Sequence, residues 1–117
     1  MDSNEVFRRI AGEHQIARVY YMDHVRPAPA EIREAEVDGP LGSISVSNES
    51  IRCPLGDFRV IDVAVGPAGL EMLLDLNGEK YFGHILANRP TGWGAVIQND
   101  KHMVTYTMPW PAKFNAS

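Results

Sequence analysis

One dipeptide constrains this chain more than any other feature. Asn77-Gly78 sits between the apolar runs 70–76 and 81–86. A two-residue hairpin turn that matches strand twist needs positive φ at both central residues, which Asn and Gly tolerate and branched residues do not. Placing the turn there fixes a register. Leu76 opposes Glu79, Asp75 opposes Lys80, Leu74 opposes Tyr81 and Leu73 opposes Phe82; further out, Met72 meets Gly83, Glu71 meets His84 and Leu70 meets Ile85. One face then collects Leu70, Met72, Leu74, Leu76, Tyr81 and Ile85. The other carries the complementary pairs Asp75–Lys80 and Glu71–His84, flanked by Leu73 and Phe82, each pair stabilising by about 0.2–1 kcal/mol.

The remaining elements are read around that hairpin. Asp2, Ser3 and Asn4 are candidate N-caps, and Phe7, Ile10, Ala11, His14, Ala17 and Tyr21 fall at helical spacing, which predicts a helix to at least His14. Gly12 costs such a helix about 1 kcal/mol, and the branched and aromatic content of residues 16–22 leaves helix and strand both open there. Pro27 and Pro29 make 26–30 a stiff connector. Period-two alternation follows over 32–37, then a turn at Asp38-Gly39-Pro40, then Ile44 and Val46 alternating with serines. The run 58–65 reads as the most apolar strand, with Ile61, Val63 and Val65 on one side. Pro-Leu-Gly at 40–42 and again at 54–56 marks two β-turns with Pro at the second position. A second hairpin around Asn99-Asp100 sets Ile97 against His102, Val96 against Met103, Ala95 against Val104 and Trp93 against Tyr106. Met108-Pro109-Trp110-Pro111 cannot continue an interior strand and reads as an extended arm.

These elements predict a single α+β domain over residues 1–117, with a Pro/Trp-containing C-terminal arm at 108–117. The N-terminal helix covers a strongly curved, mainly antiparallel sheet of about six or seven strands, curled toward a half-barrel. A chain of 117 residues buries enough surface to fold without staples, and its lone Cys53 allows no internal disulfide. The acidic, polar start at Met1–Glu5 does not read as a targeting peptide, and no apolar run approaches a membrane span, so a cytoplasmic, membrane-free protein is expected. The net charge of −4 argues against a nucleic-acid partner, whose phosphates require clustered cations.

Motifs for chemistry are sparse. The four histidines lie ten or more residues apart and Cys53 has no cysteine partner, so no metal and no cofactor is expected. Neither a phosphate-binding glycine loop nor a serine-nucleophile elbow occurs. Cys53 has only Arg52 beside it in sequence, which favours an inert buried thiol over a reactive one. Glu71 with His84 is the one constellation that the register itself brings together, and a carboxylate holding an imidazole in an apolar setting is an acid–base pair. An ordinary surface pair is the commoner outcome of such a register. Asp62, interrupting 60–64, is a third catalytic candidate if buried, although alternation also lets it point to water.

Tyr20, Tyr21, His24, Phe82, Trp93 and Tyr106 are the candidates for lining a ligand cavity, against the alternative that they are core material. Eight arginines against three lysines, together with strand edges that need covering, point to a homo-oligomer. The functional expectation is a non-enzymatic oligomeric module that binds a small organic ligand or a protein. Its alternative is a small acid–base enzyme of isomerase, cyclase or hydratase type built on Glu71, His84 and Asp62.

Overall fold

The computed structural model describes residues 3–23, 32–34 and 42–110. One helix, α1 (Ser3–Ile10), precedes ten strand segments. They are β1 (Glu13–Gln15), β2 (Arg18–Asp23), β3 (Ile32–Glu34), β4 (Ser43–Val46), β5 (Ser50–Cys53), β6 (Gly56–Gly66), β7 (Gly69–Leu76), β8 (Glu79–Leu86), β9 (Trp93–Gln98) and β10 (His102–Met108). They form one antiparallel sheet in the order β1-β4-β5-β6-β7-β8-β9-β10-β2-β3.

The two ends of that order meet in one stretch of chain. Only Ile16 and Ala17 separate β1 from β2. The N–H of Ile16 donates to the Gly42 carbonyl beside β4 (3.0 Å), and the N–H of Ala17 donates to Thr107 in β10 (2.8 Å). Consecutive residues therefore bond to opposite ends of the sheet, and the curl expected from sequence runs on to closure. Counting β1 and β2 as one kinked strand, the ten segments make nine strands among the described residues, not six or seven.

The helix is shorter than its apolar spacing predicts. It ends at Ile10, Gly12 takes φ +94, and β1 begins at Glu13. An L-residue with a side chain rarely adopts that φ, so Gly12 lets the chain turn from helix into sheet. Val6 and Ile10, four apart, are the fully buried positions of α1, replacing the longer stripe through His14 and Ala17. The helix lies against β6 and β7, and the ring N–H of His14 donates back to the Ile10 carbonyl (2.9 Å).

The β7–β8 hairpin has the expected register at every pair, with Asn77 at φ 51 and Gly78 at φ 91. The β9–β10 hairpin does not. Its pairs are Ala95–Tyr106 and Ile97–Val104, and Trp93 faces Met108 instead of Tyr106. The Asn99 side-chain oxygen accepts from the N–H groups of Lys101 and His102 (2.9 Å each), which moves the tight turn onto Asp100-Lys101. The slip is by an even number of residues, so every side chain keeps its face.

β6 departs from simple alternation. A register shift between Val60 and Asp62 leaves Ile61 without a partner as a bulge, which breaks the simple alternation expected over 58–65. The turn at Pro54-Leu55 closes β5 onto β6 as expected. Its earlier counterpart at 40–42 lies outside the described residues except for Gly42, as do the turn at 38–40 and the connector at 26–30.

Inward-facing side chains fill the closed sheet. Leu70, Met72 and Leu74 of β7 meet Tyr81 and Ile85 of β8, and Phe58 of β6 sits edge-on to Tyr81 with ring centroids 5.0 Å apart. Each fully buried Leu or Ile stabilises the fold by about 1.5–3 kcal/mol relative to exposure. Trp110, the large aromatic of the expected arm, is buried. Its indole N–H donates to the Arg89 carbonyl (2.7 Å), and the Arg9 guanidinium lies 4.5 Å from its ring centroid. Residues 111–117 of the arm lie outside the described residues.

Candidate functional site

The sheet register sorts the candidate residues into two groups on opposite sides of the barrel wall. Trp93 and Tyr106 point inward with the core and are 1% and 3% exposed. Trp93 sits edge-on to His14, with centroids 5.0 Å apart, and its indole N–H has no partner among the described residues. The Tyr106 hydroxyl neighbours the Cys53 thiol. Burial first, and the neighbouring Cys53 second, push the Tyr106 hydroxyl above its ordinary range. Burial likewise pushes the Cys53 thiol up, which keeps it protonated at neutral pH and a poor nucleophile.

Asp62, Glu71, Phe82 and His84 occupy the outer face. Strand pairing places Asp62, Leu73, Phe82, Gln98 and Met103 in one row across β6 to β10. The adjacent row reads Ala64, Glu71, His84, Val96, Thr105 and Tyr20. On the other side of the Phe82 row, Arg59, Asp75 and Lys80 lie abreast. Lys80 Nζ is 3.2 Å from the Asp75 carboxylate, and the hydrogen bond from Lys80 holds that carboxyl below its usual range.

Glu71 and His84 are opposite in register but lean apart. The Glu71 carboxylate folds over Gly66, its Cδ 3.2 Å from the position a Cβ there would take. His84 is half-buried, and its Nε2 stands 3.5 Å from the Gln98 amide nitrogen, a weak contact at best. Asp62 is exposed, and its carboxylate accepts the N–H of Val63 (3.0 Å). Together these groups present an acid and a base on an open wall, with no closed pocket around them among the described residues to exclude water.

Phe82 stands out on this face. Its side chain is 60% exposed in the middle of the sheet, opposite Leu73. It lines one side of a shallow depression of about 250 Å³ whose other lining residues are Asp62, Val63, Ala64, Glu71, Met72 and Leu73. That volume admits a side chain or a small fragment, below the range for drug-sized ligands. Tyr20 shares the His84 row but stands three strands away on β2, where its hydroxyl accepts from Arg18 (2.9 Å). Tyr21 holds the register position opposite Val104, and its side chain lies outside the described residues, as does His24. The single cavity lined by all six aromatic and histidine candidates is therefore not formed by those that are described.

Two features of this face were not legible beforehand. The bulge at Ile61 turns Asp62 outward beside Leu73, and the bonding of β6 on its β5 side runs no further than Val60, whose N–H donates to the Glu49 carbonyl (2.9 Å). Beyond that point Ile61 and Val65 are 41% and 52% exposed along an edge. The bulge and the Asp62 carboxylate on the Val63 N–H are both devices that blunt strand-to-strand pairing. Among the described residues, no cluster of three or more His, Cys, Asp or Glu side chains is placed to hold a metal, and no helix is long and apolar enough to cross a membrane. Compared with models of known protein families, with curated proteins and with solved structures, the chain matches none of them.

Proposed function

We propose that this protein is a non-enzymatic, homo-oligomeric contact module whose working surface is the outer face of β6, β7 and β8. The observation that carries the reading is Phe82, 60% exposed at the centre of that face, with Leu73 beside it and a side-chain-sized depression adjoining. Apolar surface exposed at the centre of a patch with a polar rim is typical of protein contact sites. The rim here is Asp62, Glu71, Asp75, Lys80 and His84.

The expectation of an oligomer rests on the excess of arginine over lysine and on strand edges that need covering. Closure of the sheet and the blunted edge of β6 remove most of the second ground, and the exposed face takes its place. Catalysis by Glu71 and His84 is the weaker reading. It needs a carboxylate in contact with the imidazole in a site that restricts water. The lean of Glu71 toward Gly66 and the openness of the face both favour contact over chemistry.

Light scattering coupled to gel filtration tests the reading with wild type and Phe82→Ser. Wild type is expected above the 13.0 kDa chain mass and the variant at it. A monomeric wild type, or a variant that assembles as wild type does, overturns the proposal.

A further inference from the structure

The charges on the β7–β8 face are laid out in two columns. Outward from β7 come Glu71, Leu73 and Asp75; outward from β8, at the same three levels, come His84, Phe82 and Lys80. Acids occupy one strand and basic groups the other, with the two apolar residues between them. We propose that two copies pack face to face across this hairpin about a two-fold axis running parallel to its strands, so that the Phe82 ring of each copy enters the depression between β6 and β7 of the other. The inference rests on the contact reading above and adds the partner's orientation.

The column pattern selects the axis. A two-fold parallel to the strands lays β7 on the partner's β8 and keeps the levels. Glu71 then faces the partner's His84, Leu73 faces the partner's Phe82, and Asp75 faces the partner's Lys80. In the row of Phe82, the Asp62 carboxylate meets the partner's Gln98, whose amide is a donor. The other in-plane two-fold, across the strands, keeps the columns and inverts the levels. It sets Glu71 against the partner's Asp75, juxtaposing like charges, and leaves Lys80 against the partner's His84 with no acid opposite either. Only the first arrangement is complementary at all three levels.

Shape agrees with charge. Strands lie about 4.8 Å apart, so the axis between β7 and β8 has Phe82 on one side and the β6–β7 part of the depression on the other. A single aromatic side chain matches a depression of about 250 Å³, whose lining includes Ala64, Met72, Leu73, Asp62, Glu71 and, on its β8 side, Phe82. Because the contact is isologous, each copy both gives and receives a ring, and the assembly stops at a dimer.

A charge-swap experiment read by sedimentation equilibrium tests the orientation, using Glu71→Lys and His84→Glu, each alone and mixed in equal amounts. Each variant alone is expected to dimerise about tenfold more weakly than wild type, since like charges then face each other or an attraction is lost. The mixture is expected to recover wild-type affinity, because the new lysine of one chain faces the new glutamate of the other. Melting by circular dichroism confirms that each variant is folded; the pair Asp75→Lys and Lys80→Asp follows the same logic and replaces the first if either member does not fold. Single variants that dimerise as tightly as wild type or tighter, or a mixture that does not recover, overturn this arrangement while leaving Phe82 as the contact. A monomeric wild type overturns the contact reading itself.

Discussion

The hairpins β7–β8 and β9–β10 are neighbours in the same wall, both turn on two residues, and both bury alternate apolar side chains, yet their registers are fixed by different chemistry. In β7–β8 the backbone decides: Asn77 and Gly78 take φ 51 and 91, which few residues adopt. In β9–β10 a side chain decides, the Asn99 oxygen collecting two N–H groups and shifting the turn onto Asp100-Lys101. A turn imposed by backbone conformation is readable from residue identity. One imposed by a side-chain hydrogen bond is not, because Asn favours several turn positions. Their outer faces differ as well: Phe82 stands well exposed on β8, whereas Val96, Gln98, Met103 and Thr105 are half-buried on β9 and β10.

Substitutions can break this contrast. Gly78→Val is expected to have the largest effect, about 1–2 kcal/mol of destabilisation read by denaturant melting, because a branched residue is forced into positive φ. Space is not the cause, since a Cβ at Gly78 meets nothing within 4 Å. Asn99→Ala comes next, at about 1 kcal/mol, for losing acceptors to two backbone donors at a surface turn. Should Asn99→Ala cost more than Gly78→Val, the division between backbone and side-chain control is wrong. The smallest effect belongs to Phe82→Ser, within about 0.5 kcal/mol for the isolated chain, since an exposed side chain contributes little to folding. One hairpin would thus hold both the most and the least sensitive of the three positions, separating what fixes the fold from what contacts a partner.

Legibility followed the same division. Alternation placed Leu70, Met72, Leu74, Tyr81 and Ile85 inside, and the Asn-Gly turn set Glu71 against His84 and Leu73 against Phe82 on the outer face. The β9–β10 slip left Trp93 and Tyr106 on the inner face but changed their partners. Closure was hidden, since it depends on Ile16 and Ala17 bonding to opposite ends of the sheet, and no local pattern marks a strand that changes neighbours. The bulge at Ile61 was hidden too, because residues 60–65 alternate smoothly in sequence and the extra residue appears only in the pairing with β7. The shortened helix is half visible: Gly12 marks a weak point in the helical spacing, and the helix stops at Ile10, two residues before it. For the site, the register gave which residues share a face, while the lean of Glu71 over Gly66 and the exposure of Phe82 required coordinates.

In the proposed dimer, the outer face of β7–β8 meets its own copy. An isotope-filtered NOE experiment on a mixture of labelled and unlabelled chain reads that contact without any substitution. Contacts between the Phe82 ring of one chain and the Leu73 methyls of the other are the predicted result. Intermolecular contacts arising only from other surfaces, or none at concentrations near a millimolar, would contradict it.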